Sequence, residues 1–106
     1  MVRWADPDRI AEAVREYAEN LRRRPEVSRI YWYGSWVAGV ATPSSDVDLC
    51  VIVKADVRRP RDRVPDYLPE RFPVGLDLVV LTEDEMEELP ERAPSWHRAM
   101  VEGREL

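Results

Sequence analysis

Apolar positions along the chain follow two different rhythms, and the switch between them divides it into elements. From Pro7 to Arg24 the apolar residues Ile10, Val14, Tyr17 and Leu21 recur every three or four positions, with Ala11, Ala13 and Ala18 filling the stripe. That spacing predicts an amphipathic helix. Asp6-Pro7 supplies an N-cap and a first helical residue, Arg22, Arg23 and Arg24 place cations in the last turn where the helix dipole favours them, and Pro25 ends it. Three later runs, Arg29 to Tyr33, Asp46 to Val53 and Val74 to Leu81, are short, rich in β-branched and aromatic residues, and bounded by turn residues. Each predicts a strand.

The connections follow from what surrounds the strands. Ser35 to Ala38 predicts a short helix directly after Gly34, and Thr42-Pro43-Ser44-Ser45 predicts the turn that leads into the second strand. Lys54 to Arg71 carries Arg58, Arg59, Arg61 and Arg63 among Pro60, Pro65 and Pro69, and reads as a mobile loop with one short helix near residues 62–68. After the third strand, Thr82 caps a helix whose first turn holds Glu83, Asp84 and Glu85, and Pro94 to Leu106 predicts a last helix with Trp96, Met100 and Val101 as its apolar positions.

Three carboxylates break the apolar pattern where it is least tolerant of charge. Asp46 and Asp48 are two apart at the opening of the second strand, so they project from one face, and like charges that close repel unless a divalent cation or a proton lies between them. Asp77 is the single charge in the third run, and an ionised carboxylate in a buried strand is costly unless it is paired or on a metal. If the two strands are neighbours, all three share one face at one end of a sheet. Asp46 and Asp48 are then candidate Mg²⁺ ligands, with Asp77 ligating a second ion or accepting a proton. Gly34 and Ser35, ten residues ahead of Asp46, offer a close-approach backbone and a hydroxyl suited to a phosphate.

Composition narrows what such a site can serve. At 106 residues the chain, residues 1–106, is expected to be one domain with no room for a separate substrate-binding unit. No run approaches a membrane span and no signal peptide pattern opens the chain, so a cytoplasmic location is expected. The net charge of -5 argues against a general nucleic-acid surface and favours a small substrate or a protein partner, with homo- or hetero-oligomers open. Cys50 reads as a small buried hydrophobe, and His97, without a ligand partner in sequence, as a surface or capping residue. Trp4, Tyr31, Trp32, Tyr33, Trp36 and Trp96 exceed what a small core is expected to hide, which leaves some of them for stacking on a base or for a protein interface. The arginines of residues 58–63 are candidates for a triphosphate, a solvated loop being the plainer reading.

The run from Gly34 to Asp48, Gly-Ser, ten residues, then Asp-x-Asp, resembles the signature of the DNA polymerase beta-like nucleotidyltransferases, and the length is similar to that of their minimal, stand-alone members. The resemblance covers Ile30 to Leu81 in detail. It implies an α/β nucleotidyltransferase fold, a small mixed twisted sheet with helices packed mainly on one side. It further implies transfer of a nucleoside monophosphate, AMP from ATP, to an acceptor hydroxyl, with Asp46, Asp48 and Asp77 as catalytic and metal-binding residues and Gly34 and Ser35 at the nucleotide. Minimal members are often paired with a small helical HEPN-domain protein, so the acceptor implied is a tyrosine of a HEPN toxin and the role that of an antitoxin. Trp36 and Val37 stand where relatives often carry Arg and Ala. That departure leaves a second reading open, a non-catalytic antitoxin or adaptor that binds its partner through exposed aromatics.

Overall fold

The computed structural model describes residues 6–106; Trp4 lies outside them. The first helix, α1 (Pro7–Arg22), starts where the Asp6 side chain accepts a hydrogen bond from the Arg9 amide at 2.9 Å. It is followed by β1 (Val27–Tyr33), α2 (Ser35–Ala38) and β2 (Val47–Val53). The long connection then folds into α3 (Pro60–Arg63) and a 3-10 turn at Val64–Asp66 before β3 (Leu76–Thr82), α4 (Glu83–Arg92), α5 (Pro94–Glu102) and β4 (Arg104–Glu105). The strands form one mixed sheet in the order β3-β2-β1-β4. β2 and β3 are parallel, while β1 is antiparallel to both β2 and β4.

Alternation along the strands sorts their side chains into two cores, one on each face of the sheet. Ile30, Trp32, Val47, Leu49, Val51, Val53, Leu78 and Val80 pack on Ile10, Val14, Tyr17, Ala18 and Leu21 of α1 and on Tyr67. Tyr31, Tyr33, Cys50, Ile52 and Leu81 pack on Leu89 of α4 and Met100 of α5. The mixed α/β sheet is as expected. Its helices, however, are divided between the faces and not packed mainly on one, because the strands are apolar on both sides and each side must be covered. Burial also disposes of the aromatic surplus: Tyr31, Trp32, Tyr33 and Trp36 are all buried, and Trp96 is half-buried.

The polar connections are more ordered than their composition predicts. The Arg63 guanidinium is only 2% exposed; it donates to the Val80 carbonyl at 3.0 Å, to Glu85 Oε1 at 2.6 Å and to the carbonyls of Asp56 and Arg58. Arg58 pairs with Asp56 and with Asp66, each at 2.7 Å. The segment expected as a mobile, solvated loop is thus fastened by two of its arginines. Arg24, expected as a solvated cap, lies beyond the helix end, where it donates to the Asp66 carbonyl at 2.7 Å and covers the Tyr67 ring. The last helix ends at Glu102, not Leu106, and residues 104–105 join the sheet edge. Gly103 permits this, since a Cβ there would lie 2.3 Å from the Trp32 carbonyl oxygen.

Candidate active site

Parallel pairing of β2 with β3 sets Asp48 directly beside Asp77, and antiparallel pairing with β1 sets Tyr33 on the other side of Asp48. All three share the face that carries Cys50, Ile52 and Leu81. Asp46 precedes β2 by one residue, and the Val47 amide beside it donates to the Gly75 carbonyl at 2.9 Å. The predicted convergence of the three aspartates at one end of the sheet is therefore what the register produces.

Two glycines make room for these carboxyls. A Cβ on Gly34 would lie 2.1 Å from Asp48 Oδ2, and one on Gly75 would lie 2.0 Å from Asp46 Oδ1. Gly34 also adopts φ 88°, ψ -160°, a conformation that side chains rarely tolerate, which turns the chain sharply from β1 into α2. Gly75 is the site residue that sequence reading overlooked. The signal was a lone glycine two residues before the Asp in an otherwise apolar strand, a pattern that marks close approach of another group.

Electrostatics at this end of the sheet are strained. Burial pushes the Asp48 carboxyl above its ordinary value of 3.8, and the neighbouring Asp77 and Asp46 carboxylates push it further the same way. Asp46 and Asp77 are exposed and Asp48 is half-buried. None of the ion pairs among the described residues involves any of the three. Beside them, burial pushes the Tyr33 phenol up to about 12, so it is a neutral hydroxyl at any physiological pH; its oxygen accepts a 3.1 Å hydrogen bond from Trp96 Nε1. Cys50 on the same face is fully buried with its thiol pushed up to about 12 by that burial, which suits a core residue and not a nucleophile.

Among the described residues, no three Asp, Glu, His or Cys side chains already close round one point to hold an ion. The donor set still fits Mg²⁺. This hard cation takes oxygen ligands, keeps several waters and is usually held by one or two carboxylates together with substrate phosphates, not by a closed protein cage. An open group of aspartates short of positive charge is what that requires.

Gly34 is exposed and Ser35 half-buried at the start of α2, on the same side as Asp48. Trp36 is buried, and its Nε1 donates to the Ser45 carbonyl at 2.9 Å. Arg58 and Arg63 are held in ion pairs that involve none of the three aspartates. Arg63 is anchored at Val80, three residues along β3 from Asp77 and so about 10 Å away. A cleft of about 570 Å³ opens between α1 and residues 69–73, lined by Arg9, Glu12, Glu16, Tyr17, Arg71 and Phe72. Tyr17 and Phe72 belong to the α1 core, so this cleft lies on the sheet face opposite Asp48 and Asp77.

No curated protein matches the chain. Among solved structures, it is similar to a candidate nucleotidyltransferase from Sulfolobus solfataricus, with a TM-score of 0.59 and 25% identity over 77% of this chain and 75% of that one. The model of the nucleotidyltransferase domain matches residues 14–100, from the middle of α1 into α5, and the chain therefore belongs to the nucleotidyltransferase domain family.

Proposed function

We propose that the chain moves AMP from ATP to an acceptor hydroxyl, and that the acceptor is a tyrosine of a HEPN-type helical partner, so that the pair works as antitoxin and toxin in the cytoplasm. The observation that carries the chemistry is the Asp48–Asp77 pair, adjacent in register and flanked by Asp46, with Gly34 leaving space for the Asp48 carboxyl and Gly75 for that of Asp46. Family membership supports nucleotidyl transfer in general. The choice of ATP and of a HEPN tyrosine rests on the resemblance of the Gly34–Asp48 run to the minimal members.

In this reading Asp46 and Asp48 would hold Mg²⁺, which when bound would stabilise charge on the attacking and leaving oxygens, and Asp77 either completes a second ion position or takes the acceptor proton. Gly34 and Ser35 position the phosphates. The acceptor oxygen forms a bond to the α-phosphorus, the bond from that phosphorus to the bridging oxygen of the β-phosphate breaks, and pyrophosphate leaves. The hydroxyl proton passes to a carboxylate, for which Asp77, exposed and on the open side of the pair, is the candidate. Against the non-catalytic adaptor reading, Tyr31, Trp32, Tyr33 and Trp36 are buried and offer no surface to a partner.

Co-expression with a HEPN partner followed by intact-mass measurement of that partner tests the reading. The expected result is one added AMP per modified tyrosine with the wild type and none with Asp77→Asn. A partner of unchanged mass, or equal modification by both, would overturn it.

A further inference from the structure

The segment between Gly34 and Asp46 is a loop in two halves. Its first half is α2, closed by the Val40 amide donating to the Ser35 carbonyl at 3.0 Å. Its second half is a turn in which the Ser45 amide donates to the Thr42 carbonyl at 3.0 Å and the Thr42 amide donates to Ser45 Oγ at 2.8 Å. The tip between them is lightly held: Gly39, at φ 78°, faces open space and Val40 is 71% exposed. What spans the two halves is Trp36. Its ring is buried in the α1 core, and its Nε1 donates to the carbonyl of Ser45, the residue immediately before Asp46.

Both ends of this loop carry the chemistry. Gly34, at one end, lies against the Asp48 carboxyl, and Asp46, at the other, lies against Gly75. The β1–β2 register brings the two ends of the loop together, and the hydrogen bond from the buried indole braces the turn at Gly34-Ser35 against the backbone of Ser45, next to Asp46. We propose that Trp36 is a positioning residue for the nucleotide site: its N–H ties the phosphate-side turn to the metal-side aspartate, so that both face one ligand without a rearrangement on binding. Its role presupposes nucleotidyl transfer at this site. Preorganisation of this kind saves the ordering cost that binding would otherwise carry. Loss of a single hydrogen bond to a partly buried carbonyl corresponds to a change of about tenfold in an equilibrium.

The test compares wild type, Trp36→Phe, Val14→Ala and Asp48→Asn by amide hydrogen exchange and by calorimetric titration with Mg²⁺-ATP. Trp36→Phe removes the N–H and keeps an aromatic in the core; it is expected to speed exchange at residues 45–47 and to weaken Mg²⁺-ATP about tenfold. Val14→Ala hollows the same core in α1, away from the loop; it is expected to lower the Tm and leave loop exchange and affinity unchanged. Benzothienylalanine at position 36, which keeps the ring shape without the N–H, gives the same comparison if Trp36→Phe fails to fold. Unchanged loop exchange in the Trp36 variants, or equal weakening by Val14→Ala, would overturn the positioning role while leaving the nucleotide reading intact. Wild-type affinity retained in Asp48→Asn would instead overturn the nucleotide reading, and the assignment to Trp36 with it.

Discussion

Gly34 and Gly75 each have an aspartate oxygen where a side chain would begin, yet the two are not equivalent. At Gly75 the clash is with the far end of the Asp46 side chain, which can rotate away, and the backbone has no positive φ. At Gly34 the φ of 88° adds backbone strain of about 1–3 kcal/mol, and the Asp48 Cβ is also close, at 3.3 Å. Gly75→Ala is therefore expected to keep a Tm within about 3 °C of wild type while nucleotide transfer falls at least tenfold, whereas Gly34→Ala loses both. Thermal melts beside transfer assays check this, and a Gly75→Ala enzyme of full activity would refute it. Asp48 allows a second test at this scale. Its pKa is raised in the folded chain, so its contribution to stability is fully present below 3.8 and is lost as pH rises through the raised value. Asp48→Asn is accordingly expected to melt at or above the wild-type temperature at pH 7, with the difference shrinking to nothing as pH falls toward 3.8; a lower melting point at pH 7 would refute the strain. The three aspartates were legible in the sequence because charge in an apolar run is costly unless used. Gly75 was not, because what it makes room for comes from another strand, and only the β2–β3 register brings Asp46 to it.

At the scale of elements, β1, α2, β2 and β3 were predicted within about two residues and α4 at its start, because alternation and capping are local properties. Thr82 caps α4 as expected, accepting from the Glu85 amide at 3.1 Å, while Glu85 returns a bond to the Thr82 amide at 2.8 Å. What local pattern misses is partnership at a distance. Strand β4 is two residues long and exposed, so no periodicity could reveal it, and only its pairing with Tyr31 and Trp32 makes it a strand. Arg63 is the stronger case: composition marks it as solvated, and the fold buries it. It joins the start of the connection, the carbonyl of Val80 in β3 and the first turn of α4 through Glu85, with Asp56 at 3.7 Å from its Nε. Truncating it leaves the carbonyls of Val80 and Asp56 without a donor, at a cost of about 1–3 kcal/mol each. The Glu85 pair adds less, because its carboxylate is 36% exposed. Arg63→Met is expected to destabilise by about 3 kcal/mol, a drop of roughly 10 °C or more, while Arg61→Met, at an exposed position, stays within about 0.5 kcal/mol. Urea melts of the two variants make the comparison. Equal stabilities would mean that Arg63 is solvated after all.

For the molecule as a whole, the division of helices between two faces has a functional consequence. One face, under α1, is closed by a continuous apolar core, while the other is closed by α4 and α5 only as far as Cys50 and Tyr33. In the same row as Tyr33 this face carries Asp48 and Asp77, and it is there that the sheet opens to solvent. The site is thus the uncovered end of a core, lined by groups that repel one another, and binding has something to relieve. In the proposed reading Mg²⁺ carried by ATP would bring positive charge to these aspartates, so stability and occupancy should be linked. A ligand that binds only the folded state at a hundred times its Kd stabilises by about 2.7 kcal/mol, which for a chain of this size is about 10 °C. The wild type is expected to gain a shift of that order with saturating Mg²⁺-ATP and much less with ATP in the presence of a chelator. Asp46→Asn, which keeps the shape of the side chain beside Gly75 and removes its charge, is expected to gain almost nothing. Differential scanning fluorimetry across a nucleotide titration measures all three. Equal shifts in wild type and Asp46→Asn would mean that the nucleotide binds elsewhere, and the cleft between α1 and residues 69–73 would be the first place to look.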